Sequence, residues 1–332
     1  LGREFDSPHL QKEIIMSEGI LDQISLGKES VLGTAVTPSL SIAVLPSDGV
    51  VTEQDAVGVE AIDTDPALNK DFVEGVREFN GSFEMNAYPQ ALGYLLESVL
   101  GDSSSALVAS ETIVYKHTFT EAVTKPSYTL EQKIGSIVER IAGFTVSKLS
   151  FELNVGEPLK LTFEGKGLSK SDASAITASY ETSKVFDWTD VVSITLGGVD
   201  IKCALETLSL EYNNNLQNFH GLCGKADPSQ LYVEPSEVSG NISAYLTDEI
   251  KALRTAFDSK ATQELVITLV ADETIGNASN NALVITLPKV ALNTYTHSID
   301  TSYVAVESDF VGASDPTNGQ IKVELTNLVA SY

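Results

Sequence analysis

One pattern occurs twice in this 332-residue sequence and constrains the fold more than any other feature. In Glu78–Gly101, Phe83, Met85 and Ala87 alternate with Ser82, Glu84 and Asn86, the period of a strand with one buried face. Pro89 then sits where a first helical turn tolerates a missing N–H. Leu92, Leu95, Leu96, Val99 and Leu100 follow at helical spacing, and Gly101 supplies a C-terminal stop. The design returns in Glu237–Phe257. Gly240 takes the place of Gly81, and Ile242 and Ala244 take the places of Phe83 and Met85. Leu246, Ile250, Leu253 and Phe257 repeat the spacing of Tyr88, Leu92, Leu95 and Val99, and Arg254 replaces Leu96. Two unrelated pieces can share a strand-then-helix pattern. Here the surroundings match as well, so the sequence reads as an internal duplication.

The flanking segments predict mostly strands. Ser39–Leu45 alternates, as do Thr112–Thr120 and Ser127–Ile134. Phe144–Gly165 is the clearest hairpin: Leu149, Phe151, Leu153 and Val155 alternate with Ser150, Glu152 and Asn154. Gly156-Glu157-Pro158 turns the chain, and Leu159, Leu161 and Phe163 alternate with Lys160, Thr162 and Glu164. The parity slips between Val146 and Leu149, which predicts a bulge. In the second half Val192–Leu196, Cys203–Tyr212, Leu265–Val270, Ala282–Leu287 and Ile321–Leu325 read as strands, and Tyr295–Phe310 as a poorer hairpin. Leu265–Val270 and Ala282–Leu287 are matched to 112–120 and 127–134. Residues 46–75 and 213–235 read as two long polar loops at matching places, which at that length are functional or mobile. Residues 1–30 read as an arm, with no partner evident for Leu10, Ile14 and Ile15 or for the apolar patch Leu21–Leu26. The expected organisation is an arm (1–30), a first domain (31–168), a linker (169–188) and a second domain (189–332). The expected fold is mainly β with a few short helices: two tandem β-sandwich or barrel domains, each flanked by one α-helix.

Composition narrows the function classes. Acidic residues number 46 against 21 basic, a net charge of −25, so the chain lacks the cations that hold phosphate backbones or anionic membranes. The same balance also serves plain solubility. The two cysteines, Cys203 and Cys223, make no disulfide framework or zinc set. Cys203 reads as a small buried residue, and a reducing compartment is the simplest context. There is no secretory signal and no apolar run long enough to span a membrane. The chain opens on Leu1, which points to a few residues lost by processing or disorder. His220 beside Cys223 suggests a nucleophile pair, but no third orienting group is indicated. Asp63, Asp65 and Asp71 lack the glycine and terminal glutamate of a calcium loop. Gly165-Lys166-Gly167 lacks the rest of a phosphate-binding motif. No cofactor or metal is expected, and the chain does not read as an enzyme.

Gly27-Lys28-Glu29-Ser30-Val31-Leu32-Gly33-Thr34-Ala35-Val36 resembles the opening of the tail tube proteins of long-tailed bacteriophages. So do the Gly81 strand with Pro89, Leu92-Gly93 and Leu95-Leu96 up to Leu100-Gly101, then Ser127–Glu131, Gly143–Gly165, Leu208–Asn215 and Val238-Ser239-Gly240. The resemblance covers roughly residues 30–330 and rests on the order of segments. It implies a structural virion protein of the phage tail. Such proteins stack as rings into a tube through which DNA leaves the capsid, and the sheets of neighbouring protomers join around the lumen. A chain with two copies would close a pseudo-hexameric ring as a homotrimer. The implied partners are the protein itself, the tape-measure protein, the tail terminator and the baseplate. DNA passes without specific binding, no membrane is involved, and assembly takes place in the host cytoplasm. Under this reading Lys148, Ser150, Glu152, Asn154, Lys160, Thr162 and Glu164 face the lumen, with Ser298, Asp300, Glu307 and Asp309 as weaker second-copy candidates. Asp48, Glu53, Asp63, Asp65, Asp71, Asn214, Asn218, His220, Lys225 and Asp227 are the candidates for contacts between rings. The rival readings are a secreted or surface β-sandwich binding module of adhesin type and a hydrolase using His220 or the Asp63–Asp71 region. An outer-membrane barrel fits the helical segments poorly.

Overall fold

A computed structural model describes residues 21–61, 67–299 and 302–332. The first half contains β1 (Leu21–Lys28), β2 (Leu40–Ile42), β3 (Val50–Glu60), β4 (Asn69–Asn86), α1 (Pro89–Leu100), β5 (Gly101–Leu107), β6 (Tyr115–Glu121), β7 (Tyr128–Ile134), β8 (Ile137–Asn154), β9 (Lys160–Gly167) and β10 (Ser169–Asp172). The second half contains β11 (Val191–Leu196), β12 (Val199–Asp200), β13 (Leu205–Asn213), β14 (Leu216–Phe219), β15 (Gln230–Val233), β16 (Glu237–Tyr245), α2 (Lys251–Ser259), β17 (Gln263–Thr274), β18 (Asn280–Leu292), β19 (Thr296–Ile299), β20 (Val304–Gly312) and β21 (Lys322–Asn327). Among the described residues the chain is mainly β with two α-helices, and its open sheets form sandwich-like layers.

The described strands form one long wall, two further sheets behind it and a separate two-stranded hairpin, β14–β15. The wall runs β3-β4-β9-β8-β13-β16-β20, and β20 then pairs with the end of β18 and with β19, all antiparallel. Behind its first half lies the sheet β2-β1-β7-β8-β10, and behind its second half the sheet β12-β11-β17-β18-β21-β6-β5. Two strands cross between layers. β8 pairs with β7 and β10 up to Phe144 and with β9 and β13 from Thr145 onward. Gly143, next to the crossing, has φ +69, and a Cβ there would meet the Leu168 side chain at 2.8 Å, so glycine is required. β18 makes the same crossing, with Pro288 interrupting the ladder between Leu287 and Val290.

The period-two patterns explain the wall. Phe83, Met85, Leu149, Phe151, Leu161, Phe163, Leu208, Leu210, Ile242, Val306 and Phe310 are buried on its inner face. Phe83 stacks on Phe163 with ring centroids 5.0 Å apart. α1 packs into this core with all its residues buried except Gln90 and Tyr94. It begins at Pro89 and ends at Gly101, whose φ of 102 only glycine adopts readily. Its side-chain N-cap comes from far along the chain: Glu181 accepts from the N–H groups of Gln90 and Ala91 at 3.0 Å each. The bulge expected after Val146 is present between Val146 and Lys148.

Several local expectations are corrected. Residues 46–75 do not form a loop: they hold most of a long hairpin, β3 with β4, whose register runs from Val50↔Gly81 to Glu60↔Asn69. Residues 213–235 likewise hold the short hairpin β14–β15. β1 lies between β2 and β7, so the patch Leu21–Leu26 has sheet partners on both sides, while residues 1–20 of the expected arm lie outside the described residues. Cys203 is exposed in a short 3-10 turn rather than buried in a strand. β17 and β18 form the hairpin that β7 and β8 form in the first half, so they stand opposite 128–134 and 137–154. Among the described residues the pair β5–β6 has no second-half counterpart. It extends the second half's own sheet through β6–β21.

Candidate functional site: a polar wall and two hairpin arms

The outer face of the wall carries the polar members of each alternating strand. Lys148, Ser150, Glu152 and Asn154 project from β8, and Lys160, Thr162 and Glu164 from β9, opposite the buried Leu149, Phe151, Leu161 and Phe163. Glu307 and Asp309 are exposed on β20, where Val306, Ser308 and Phe310 turn inward. A shallow groove joins the two sets, lined by Ser150, Glu152, Lys160, Thr162, Asn241 and Asp309 among others. Ser298 is exposed on β19, and Asp300 lies outside the described residues.

β13 is what brings the halves together, and the polar half of its alternation belongs to the same face. Its register against β8 places Glu211 opposite Ser150 and Ser209 opposite Glu152. Those residues were missed as wall residues, although Leu205–Asn213 shows the same period of two as the hairpin. Lys148 straddles this joint, 3.0 Å from Glu211 and 3.3 Å from Glu164. Partial burial works against its charge, but the two glutamates outweigh that and hold its pKa above the ordinary lysine value. Lys160 is likewise raised by Glu157, 3.0 Å away. These two lysines are thus engaged by carboxylates of the same chain. Glu152 hydrogen-bonds Asn154, whose amide also reaches Glu157.

The second feature is a protruding ribbon. Beyond Phe79, β4 pairs only with β3, and side chains on both faces are bare: Phe72 is 60% exposed and Val73 52%. An isolated two-stranded ribbon is marginal in water, and this one has no second sheet or helix packed on either face among the described residues. Glu53 and Asp71 lie on it, Asp48 just precedes it, and Asp63 and Asp65 at its far end lie outside the described residues. The smaller hairpin β14–β15 leans on its base. Arg77 N–H donates to Ala226 O at 2.8 Å, the Arg77 guanidinium meets Asp227 at 3.0 Å, and His220 lies 3.9 Å from Glu78. Lys225 is exposed near the tip, and Asn218 and His220 are half-buried. Asn214 is corrected: fully buried, its amide donates to Val146 O at 2.9 Å and Val99 O at 3.4 Å, so it fastens the chain's own fold and is no surface contact.

Among the described residues, Cys223 and His220 do not face each other. Cys223 Sγ bonds Ser229 Oγ at 3.2 Å, which lowers its pKa, while His220 faces Glu78. Among the described residues no group of three or more His, Cys, Asp or Glu is placed to hold a metal ion. No described helix is long and apolar enough to cross a membrane.

The fold is thus a sheet wall built from two similar halves, with a polar outer face and a bare two-stranded ribbon at one end. A family model described as phage tail tube protein matches residues 19–321, and the chain belongs to that family. No curated protein matches it. The protein is therefore a structural component of the phage tail, assembling with itself and with other tail components.

Proposed function

We propose that three copies of this chain close a ring, that rings stack into the tail tube, and that the polar face of the wall lines the channel through which DNA passes from capsid to host. The observation that carries this reading is the β8–β13 joint: two similar halves already share one sheet, and its outermost strands are left open. Each half then supplies one-sixth of the circle, and a head-to-tail repeat closes with cyclic symmetry. The wall face supports the conduit role, because its glutamates repel phosphates and Lys148 and Lys160 are already engaged. On this reading β1–β10 and β11–β21 are the two tube domains, because β1 and β10 both belong to the first half's back sheet rather than to an arm and a linker, and the chain after Asp172 links the two. The β3–β4 ribbon and the β14–β15 hairpin reach the neighbouring ring. The tape-measure protein, tail terminator and baseplate are the further partners, and assembly precedes incorporation into the virion in the host cytoplasm.

The test is the mass of a disassembled ring, with negative-stain images of the assembled form. Three chains per ring are expected. Six full-length chains per ring would mean the duplication does not set the symmetry. A stable monomer at every concentration would favour the surface binding module.

A further inference from the structure

The joint inside one chain gives the register of the joint between chains. The halves share a frame centred on two glycines. Gly81 on β4 lies between Val50 of β3 and Gly165 of β9, and Gly240 on β16 lies between Leu210 of β13 and Phe310 of β20. Val50 therefore stands where Leu210 stands. Four residues back from Gly165 is Leu161, opposite Phe151 of β8. Four residues back from Phe310 is Val306, opposite His297 of β19. His297 therefore stands where Phe151 stands. Within the chain, Leu210 is opposite Phe151.

We propose that β3 of one copy pairs antiparallel with β19 of a second copy, with Val50 opposite His297, Val51 opposite Thr296 and Thr52 opposite Tyr295. This rests on the ring reading above and adds the edges and the register. Two observations support it. Among the described residues, β3 and β19 each have a strand partner on one side only, so each presents a sheet edge; at Val50 the Gln132 side chain holds the backbone N–H and C=O at 2.7 and 3.1 Å, and β19 must displace it to pair there. The alternation also agrees. Tyr295 stacks on Phe257 of α2, on the inner side of the wall, and His297 and Ile299 follow on that side. Leu149, Phe151 and Leu153 occupy those places in the first half. There β13 covers them, whereas Ile299 is 78% exposed. Thr296 and Ser298 then share the outer face with Val51 and Glu53. No cation stands at Thr294, the place of Lys148, so this joint relies on backbone pairing and apolar cover.

The full chain with Cys203→Ser and Cys223→Ser is the background for the test. Directly opposite side chains in an antiparallel pair have Cβ atoms about 4.5–5.5 Å apart, close to disulfide reach, whereas residues two places off lie about 7–8 Å apart. Val51→Cys with Thr296→Cys should give, on mild oxidation, a disulfide-linked product of three chains. Val51→Cys with Ser298→Cys should stay unlinked. Three-chain rings that link only through the second pair would overturn the register, and rings that link through neither would overturn the choice of edges, both leaving the ring itself standing. Particles of one chain only would overturn the ring reading and this one together. Should the cysteine variants fail to assemble, hydrogen exchange on the unmodified protein decides. Residues 50–53 and 296–299 must both gain protection on assembly, and no gain in either overturns the pairing.

Discussion

The two halves are built to one plan but are not equally finished. In the first half, β8 runs from the back sheet into the wall as one strand of 18 residues with a single bulge in its wall segment. In the second half the corresponding path is broken at residues 293–295, leaving the end of β18 and the four-residue β19, which is exposed throughout. α1 is sunk in the core along nearly its whole length. α2 presents Leu253 and Ala256 inward and leaves Arg254, Thr255 and Asp258 in solvent. The difference follows from what lies next door. The wall edge of the first half is covered by the second half of its own chain through β13. The corresponding edge of the second half has no covalent neighbour. Where cover is built in, the sequence supplies strong alternation and a helix buried on nearly every side, its Glu97 met by Lys28. On the ring proposed above, the edge left for another copy to cover is free to be weaker.

The largest expected effect tests whether both halves face one channel. Glu152→Lys with Glu164→Lys places new cations on the first-half lining, and Glu307→Lys with Asp309→Lys does so on the second. Each ring gains six such groups in either case if three chains form it. Because six to ten phosphate contacts change binding by about 10³–10⁵ over a modest salt range, release of DNA from intact tubes should slow by at least about tenfold at low salt and recover with added salt. Equal slowing by both pairs supports a shared lining. Normal release from the first-half variant at low salt, with tubes intact, places those glutamates on the outer surface.

Core truncations sharpen the comparison of the helices. Leu95 and Leu253 are both fully buried. The surroundings of α1 cannot relax around a missing side chain, so Leu95→Ala should cost about 3–5 kcal/mol, near the top of the range for buried leucines. α2 has solvent along one side, and Leu253→Ala should cost about 2–3 kcal/mol. Chemical denaturation of the unassembled chain measures both, and equal losses would mean that α2 is as tightly held as α1.

How far this asymmetry could be read in advance depends on burial. Strands with one wet face, such as Leu149–Asn154, announce themselves by alternation, and Pro89 and Gly101 mark the ends of α1. The β3–β4 ribbon reads as a loop in the sequence because both of its faces are bare. Val57, Gly58, Val59, Phe72 and Val73 follow no period of two when neither side is a core, and Gly58 and Gly75 imitate turns. The outward-facing residues of the hairpin follow directly from parity. The contribution of β13 does not, because which strand neighbours β8 is a long-range fact that local pattern cannot carry. The cross-half pairing of β6 with β21 was hidden for the same reason.

That pairing has a pH signature. His117 on β6 is fully buried, with Nδ1 2.7 Å from Ser105 Oγ and Nε2 3.0 Å from Asn327 Oδ1 near the end of β21. Burial lowers its pKa, and the bonds to Asn327 and Val329 only partly oppose this. A histidine depressed in the folded state binds fewer protons there than in the unfolded chain. Its stabilising contribution is present above the unfolded value near 6.5 and is lost as pH falls below it. The melting temperature should therefore drop on acidification through this window, and His117→Gln should flatten the drop. An unchanged slope in the variant would assign it to other groups.

The smallest effect distinguishes the joint within the chain from the joint between chains. Lys148 ties β8 to β9 and β13 through Glu164 and Glu211, whereas Thr294 occupies the matching place at the free edge. The glutamate side chains are 43% and 38% exposed, so solvent screens the attraction, and each pair contributes about 0.2–1 kcal/mol. Lys148→Met keeps the apolar stem and removes the charge, leaving the two glutamates without their shared cation. The loss should be about 1 kcal/mol at low salt and should shrink as salt rises. The raised pKa fixes the sign with pH. The contribution is complete below the ordinary lysine value near 10.5 and disappears as pH climbs through the higher folded value, so wild type and variant should converge in strong alkali. Ring dissociation gives the contrast. If the copies meet at β3 and β19, no lysine bridges that joint, and the ring-to-chain equilibrium should be the same in wild type and Lys148→Met. A variant whose rings fall apart at low salt while its chains stay folded would place Lys148 at the contact between copies and reverse the assignment of the two joints.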